Sequence, residues 1–255
     1  MPIEKTDAII INSIDWSNTS KILSFYTREN GRIKAVAKGA RRKGSPFRGA
    51  LELFYYVDLV YYEKSSRELQ TVSQCSVQKD FPAIKQDLIK TAYCSYFVQM
   101  ADEISGEREK SGELFQLLLD IFTYLEDNSP DVLLARFFEL SLLKAAGYGP
   151  LLKSCGACGR KFEVPLERAG FSPGAGGAVC EPCMDATKDF LLLSGGALST
   201  LSCLDRVAID MLGRIQASKT IKDELREALA CYVDYHLEKK LKSRDFLEEI
   251  LNEPY

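Results

Sequence analysis

The hydrophobic period of this chain changes once, at Phe81-Pro82, and that change limits the fold more than any other feature. Before it, short runs rich in Ile, Val, Tyr, Phe and Thr occupy residues 6–12, 21–27, 32–38, 51–62 and 68–78. Polar or glycine-bearing breaks such as Glu29-Asn-Gly31 and Glu63-Lys-Ser-Ser66 separate them, which is the pattern of strands and turns. After it, Ile84, Leu88, Ala92, Tyr93, Tyr96, Phe97, Met100 and Ile104 recur at three and four residues, the apolar stripe of a helix. Further helices are expected at residues 113–126, at 130–146 behind a cap at Ser129, and at 196–212, 219–242 and 243–251. Five strands with no helix of their own must close on themselves or pack on a second layer. An N-terminal five-stranded OB-fold β-barrel is therefore expected, with an SH3-like barrel as the alternative. The fold class is α+β: a barrel domain over residues 1–80 and an α-helical domain over 81–255. A cysteine-bearing module at 151–189 is inserted into the helical part.

At roughly 100 to 200 residues per domain, 255 residues fit one large domain or two small ones. The 33 Lys and Arg against 36 Asp and Glu leave a net charge of −3, so a basic surface must be local. It is: residues 1–80 hold 13 basic against 9 acidic side chains, and residues 81–255 hold 20 against 27. Apolar stretches such as Asp7-Ala-Ile-Ile-Ile-Asn12 and Phe190-Leu-Leu-Leu193 fall far short of the ~20 residues a membrane helix needs. The N-terminal residues show no basic and apolar export signal, so a cytoplasmic location is expected.

Four of the eight cysteines form two knuckles, Cys155-Gly-Ala-Cys158 and Cys180-Glu-Pro-Cys183, separated by 21 residues. That is just beyond the usual 15–20 of a four-cysteine zinc ribbon. Four thiolates complete a tetrahedron and leave no open position for water, so one structural Zn2+ is expected, with a redox dithiol or iron–sulfur site, or no metal, as alternatives. The intervening Gly170-Phe-Ser-Pro-Gly-Ala-Gly-Gly177 carries few apolar residues and is expected to be a loop that the metal holds in place of a core. Cys75, Cys94, Cys203 and Cys231 stand singly among apolar residues and are expected to be small core side chains.

Lys34, Lys38, Arg41, Arg42, Lys43 and Arg48 occur without an intervening acid and are interleaved with Gly39 and Gly44. Glycines let a backbone approach a polyanion, and guanidinium groups grip phosphate oxygens bidentately, so this window is the expected DNA- or RNA-binding segment, with a merely solvated loop as the alternative. The neighbouring Phe54-Tyr-Tyr56 and Tyr61-Tyr62 either stack on unpaired bases or fill the barrel. No Gly-x-x-x-x-Gly-Lys-Ser/Thr phosphate loop is present, and Gly174-Ala-Gly-Gly177 lies between the cysteine pairs. The single histidine, His236, has Tyr232, Val233, Tyr235 and Leu237 around it and reads as a packed helical residue. Triads and His-dependent metal catalysis are thereby excluded, and no catalytic residue is expected.

Taken together, the short N-terminal strands, Lys38-Gly-Ala-Arg-Arg42, the two cysteine pairs, Tyr235-His-Leu237 and Leu241-Lys-Ser-Arg244 resemble the bacterial recombination mediator family RecO over nearly the whole chain. The resemblance implies a non-enzymatic DNA repair and homologous recombination factor that binds single- and double-stranded DNA and anneals complementary strands. With RecR it would promote RecA loading on DNA coated by single-strand binding protein. It implies RecR and the acidic, apolar C-terminal tail of the single-strand binding protein as partners, no membrane, and a nucleoid-associated place in the cytoplasm. For the tail, Arg136 and Lys144, on a helix with Phe137, Phe138 and Leu140, are the expected partner-binding residues, against the alternative of a packed helix with two exposed charges. Glu238-Lys-Lys240 departs from a family that places a small, glycine-containing turn there. A zinc-stabilised protein-binding adaptor and an RNA-binding factor with the same barrel are the rival readings.

Overall fold

The computed structural model describes residues 2–64, 68–104, 112–163 and 166–252. Five strands, β1 (Ile3–Trp16), β2 (Ser20–Thr27), β3 (Gly31–Ala37), β4 (Tyr56–Tyr62) and β5 (Leu69–Lys79), close a barrel in the order β1-β2-β3-β5-β4. Neighbours are antiparallel except β3 and β5, which pair in parallel through Lys34–Leu69, Ala35–Gln70 and Val36–Thr71. That one parallel pair closes the barrel. The expected OB-type barrel is therefore present, with helices following it in the chain. The polar break at residues 63–66 lies partly outside the described residues.

Alternate residues of the strands fill the barrel: Ala8 and Ile10, Leu23 and Phe25, Ile33, Ala35 and Ala37, Val57, Leu59 and Tyr61. β1 is longer than residues 6–12 because its first half pairs with β4 and its second half with β2. The register between β1 and β2 slips by one residue between Ile10 and Asn12, a bulge that bends a long strand around a small barrel. β4 is shorter than residues 51–62. Phe54 takes a left-handed conformation with φ 69°. Its amide donates to the Ile10 carbonyl at 2.9 Å and the Ile10 amide donates to the Tyr55 carbonyl at 3.0 Å, so residues 51–55 are a turn beside β1.

The helix expected from Ile84 is two: α1 (Pro82–Gln86) and α2 (Leu88–Ile104). Asp87 separates them, its carboxylate accepting from the amides of Ile89 at 2.8 Å and Lys90 at 3.0 Å as the N-cap of the second. α3 is Gly112–Asp127 and α4 is Val132–Ala145, capped by Asp131, which accepts from the Leu133 amide at 2.8 Å, and not by Ser129. β6 (Arg168–Ser172), β7 (Gly177–Val179) and β8 (Leu191–Ser194) form a three-stranded sheet in the order β7-β6-β8, with α5 (Glu181–Met184) between β7 and β8. α6 is Gly195–Leu204, shorter than expected, and a separate 3-10 turn covers Ile209–Arg214. α7 is Lys219–Leu237 and α8 is Lys242–Asn252. Two compact units result, one made of residues up to Ser129 with those from Ser243 on, the other of Pro130–Lys242.

α7 ends where the sequence departs from the family pattern. Glu238 is left-handed, φ 54° and ψ 23°, a conformation that costs a residue with a Cβ about 1–2 kcal/mol and glycine almost nothing. Glu238→Gly is expected to stabilise the chain by about 1 kcal/mol, raising the melting temperature by about 2–4 °C for a chain of this size. A thermal unfolding curve checks it, and an unchanged or lower midpoint would show that the Glu238 side chain has a compensating role.

Candidate nucleic-acid interface and metal centre

The basic segment leaves β3 at Lys38 and is stitched into the barrel before β4 begins. Phe47, Ala50 and Leu51 are buried in the barrel core. Successive turns tighten the chain: the amides of Arg42, Ser45, Arg48 and Ala50 donate to the carbonyls of Gly39, Arg42, Ser45 and Phe47 at 3.0–3.2 Å. Gly44, with φ 86° and open space around it, supplies one of the left-handed residues these turns require. Lys38, Arg42, Lys43 and Arg48 are exposed, as is Lys34 on β3. Among the described residues no acid forms an ion pair with Lys38, Arg42, Lys43 or Arg48.

Arg41 behaves differently. Its amide donates to the Thr19 carbonyl at 3.0 Å and its guanidinium donates to the Ser17 carbonyl at 3.1 Å and pairs with Asp15 at 3.3 Å. It braces the loop against the β1–β2 turn, with its charge already met by a carboxylate. The result is a rigid loop that presents cations to solvent from an apolar anchor, which suits a phosphate backbone better than a floppy tail would.

The aromatic run does not supply a stacking surface as a unit. Phe54 is buried and packs edge-on against Phe122 of α3, with ring centroids 5.7 Å apart. Tyr56 meets Phe115 at 6.1 Å, and Tyr61 is buried with its hydroxyl accepting from Asn30 at 3.1 Å. Tyr55 carries the Lys85 ammonium over its ring at 3.3 Å. Tyr62 alone of the run is an exposed large side chain. Pairing with α1 and α3 decided this, and nothing in the local sequence shows which face a helix far along the chain will cover. An exposed aromatic of the barrel that sequence reasoning passed over is Trp16, two residues from Ile14 at the end of β1. It lies between the expected strands at residues 6–12 and 21–27, so the strand pattern gave it no face and no sequence signal singled it out.

The second unit gathers the four cysteines. The sulfur atoms of Cys155, Cys158, Cys180 and Cys183 lie within 4.8 Å of one another, with Cys158 and Cys180 3.8 Å apart. Thiolates at ~2.3 Å around a tetrahedral ion stand about 3.8 Å from each other, so the donor set fits a closed four-sulfur metal site. The knuckles are built by backbone hydrogen bonds: Cys155 amide to Arg160 carbonyl at 2.8 Å, Gly159 amide to Cys155 carbonyl at 2.8 Å, and Cys183 amide to Cys180 carbonyl at 2.9 Å. Burial raises the Cys155 thiol, but hydrogen bonds from the backbone of Cys180, Cys158 and Ala157 outweigh it and hold it down at about 6. Contacts with the Cys180 and Cys158 thiols push Cys183 up to about 12. Four thiols this close resist joint ionisation unless a cation sits among them.

The glycine-rich stretch is not a loop. β6 and β7 pair through Gly170–Val179, Phe171–Ala178 and Ser172–Gly177, and Ala169, Phe171, Ala178 and Val179 are buried. Phe171 packs on Tyr232 of α7 at 5.3 Å. Small side chains made the stretch look coreless, yet they are what lets the hairpin lie close against its neighbours. Gly156 shows the tightness, since a Cβ there would overlap the carbonyl oxygen of Ala175 while the Gly156 amide donates to the Ala178 carbonyl at 2.8 Å. Gly156→Ala is expected to push the first knuckle off the hairpin, costing about 3 kcal/mol or more and lowering metal content. Calorimetry with metal analysis of the purified variant checks both, and native metal content would show that the hairpin gives way instead.

Arg136 and Lys144 do not share an open surface. Arg136 is buried, its guanidinium paired at 2.5 Å with the fully buried Glu139 one turn on, whereas Lys144 is exposed and pairs with Asp205 at 3.2 Å. His236 is half-buried among Tyr148, Tyr232 and Tyr235, with ring centroids 4.6–5.2 Å away, and burial lowers its pKa below 6.5. That is the packed helical histidine expected. Of the single cysteines, Cys75 and Cys94 are buried as expected, but Cys203 and Cys231 are exposed on the outer sides of α6 and α7, because each helix turns only one stripe inward. Among the described residues, no helix is long and apolar enough to cross a membrane.

Comparison with known proteins bears on both units. The family models for the N-terminal and C-terminal parts of recombination protein O match residues 1–81 and 85–245. DNA repair protein RecO of Pelotomaculum thermopropionicum is 34% identical over 254 residues, covering 100% of this chain and 97% of that protein. The RecO proteins of Symbiobacterium thermophilum and Syntrophus aciditrophicus are 33% and 32% identical, covering 98% and 96% of this chain and 98% and 95% of their own lengths. With its closed N-terminal barrel, helical C-terminal part and four-cysteine cluster, the chain belongs to the RecO family of DNA repair and recombination proteins.

Proposed function

We propose that this protein is a recombination mediator that binds single- and double-stranded DNA, anneals complementary strands and, with RecR, promotes RecA loading on DNA coated by single-strand binding protein. The observation that carries this reading is the loop of exposed cations anchored in the barrel core by Phe47 and Leu51. Lys34, Lys38, Arg42, Lys43 and Arg48 contact backbone phosphates, and Arg41 holds the loop against the β1–β2 turn. Cations facing two strands at once lower the repulsion that opposes annealing. The net charge of −3 limits indiscriminate coating of the chromosome and leaves delivery to partner contacts.

In this reading residues 1–80 are the nucleic-acid-binding barrel, 81–255 the helical domain and 151–189 the metal module. One structural Zn2+ is held by Cys155, Cys158, Cys180 and Cys183 and fixes the hairpin between the knuckles, with no catalytic part. Lys144 is the cation of α4 that stays at the surface for the acidic tail of the single-strand binding protein, and Arg136 supports that helix from inside. The protein acts in the cytoplasm, at the nucleoid, and performs no covalent chemistry.

The test is fluorescence anisotropy of labelled single- and double-stranded oligonucleotides across a salt series, with annealing of complementary strands followed in parallel. Binding that weakens steeply with salt, together with accelerated annealing, is expected. Absence of binding at low salt would overturn the reading and leave a zinc-stabilised protein adaptor as the better account.

A further inference from the structure

The barrel carries an apolar outer corner that neither its core nor its helices use. Ile14 and Trp16, two residues apart at the far end of β1, are 56% and 51% exposed. Neighbours two apart in a strand share a face, and here the face is settled by the register. Leu23, Phe25, Ile33, Ala35 and Ala37 point into the core, so Ile22, Ser24, Lys34 and Val36 point outward. Ile14 pairs with Ile22, which pairs with Val36, and Asn12 pairs with Ser24, which pairs with Lys34. Lys38 continues the outward series one residue past the end of β3, and it is exposed. Ile14 and Trp16 therefore lie on the same outer side of the sheet as Lys34 and Lys38, with Ser20, Ser24 and Val36 between them packed out of solvent. The acid of this hairpin, Asp15, alternates to the opposite side, where Lys21 at 3.8 Å and Arg41 at 3.3 Å hold it.

A half-exposed indole and a branched aliphatic side chain on the same side of the sheet as two exposed lysines, with Asp15 on the opposite side, fit an anionic ligand that offers flat apolar groups. Unpaired nucleotides are such a ligand, and duplex DNA is not, because its bases already stack on one another. Barrels of this topology present their second and third strands and the loop joining the first two to oligonucleotides, and Trp16 stands at that loop. We infer that Trp16 stacks on an unpaired base at the end of β1, with Ile14 packed against the same nucleotide and Lys34 and Lys38 taking the flanking phosphates. This corner sets the barrel's preference for single strands over duplex. The inference rests on the reading that the barrel binds DNA and adds to it a base-contacting residue that the basic loop alone lacks.

Trp16 is the only tryptophan in the chain, so its intrinsic fluorescence reports from this corner alone. Titration of the full-length protein with oligothymidylate is expected to quench and shift the emission with the same saturation curve as anisotropy of the labelled oligonucleotide, whereas duplex leaves it nearly unchanged. Trp16→Ala should weaken single-strand binding about 5- to 150-fold, the range of stacking on one base. Trp16→Phe should retain most of the affinity, and duplex binding should be little altered in either variant. Both variants should melt like the wild type, because the side chain lies outside the core. Anisotropy that reports binding while the emission stays constant and Trp16→Ala binds normally would overturn the stacking role and leave the DNA-binding reading standing. Equal losses on single strand and duplex would also overturn it, by assigning Trp16 a structural role. No anisotropy change with either DNA at low salt would instead remove the DNA-binding reading, and this inference with it.

Discussion

Replacing Lys38, Arg42, Lys43 and Arg48 together with Ala makes the salt dependence of oligonucleotide binding shallower by about 3 on single strands and about 3.6 on duplex. Each neutralised phosphate contributes about −0.7 on single strands and −0.9 on duplex to the log–log slope, and among the described residues no carboxylate pairs with these cations. A difference of about 3 in slope corresponds to roughly a 50-fold smaller loss of affinity between 50 and 200 mM salt. The variant keeps its fold, because the loop is anchored by Phe47, Ala50 and Leu51 and by backbone turns, none of which the substitutions touch. Its melting temperature is expected to stay within the range of ordinary surface substitutions, about 0.5 kcal/mol. Arg41 is left in place because its loss would free the loop from Asp15 and the Ser17 carbonyl and confuse positioning with phosphate contact. Anisotropy across a salt series reads both slopes. A slope equal to that of the wild type would move the DNA path off this loop.

Cys155→Ser is expected to abolish stoichiometric metal binding and to destabilise the unit Pro130–Lys242 by more than ~4 kcal/mol, the class of effect reserved for lost metals and broken cores. Cys155 is the most buried of the four, its thiol held down at about 6 by backbone donors, so its thiolate forms at lower pH than those of Cys180 and Cys183. The pH dependence follows with a definite sign. Protons compete with the ion for sulfur, so the metal is retained above the range where the cysteine ligands protonate and released as pH falls through it, taking its contribution to stability with it. A strong chelator applied to the wild type should reproduce the variant. Metal analysis and limited proteolysis across residues 151–190 measure it. A variant with a native melting curve and native protease resistance would show that Phe171 on Tyr232 and the β6–β8 pairing hold the module without the ion.

The boundary between a strand half and a helix half, five strands in the first, and a quartet of metal-type cysteines were legible in residue order, because each rests on periodicity or spacing along the chain. So were the basic segment and the half-buried histidine. The folded chain alone decided what depends on residues distant in sequence. Arg41 is tied to Asp15 and to the Ser17 carbonyl because those residues come beside it only when β1 and β2 form a hairpin. Phe54 and Tyr56 went to packing because α3, some sixty residues later, brings Phe122 and Phe115 against them. Arg136 went inside because Glu139 on the next turn neutralises it within an apolar helix. The glycine-rich stretch became a hairpin because its small residues admit close backbone approach, which low hydrophobicity conceals. Trp16 stands half-exposed at the β1–β2 turn, where its ladder partner is the small Ser20. Local order along a chain sets period, turn chemistry and ligand spacing. Which side of each element meets water is a property of what packs against it, and only tertiary contacts decide that.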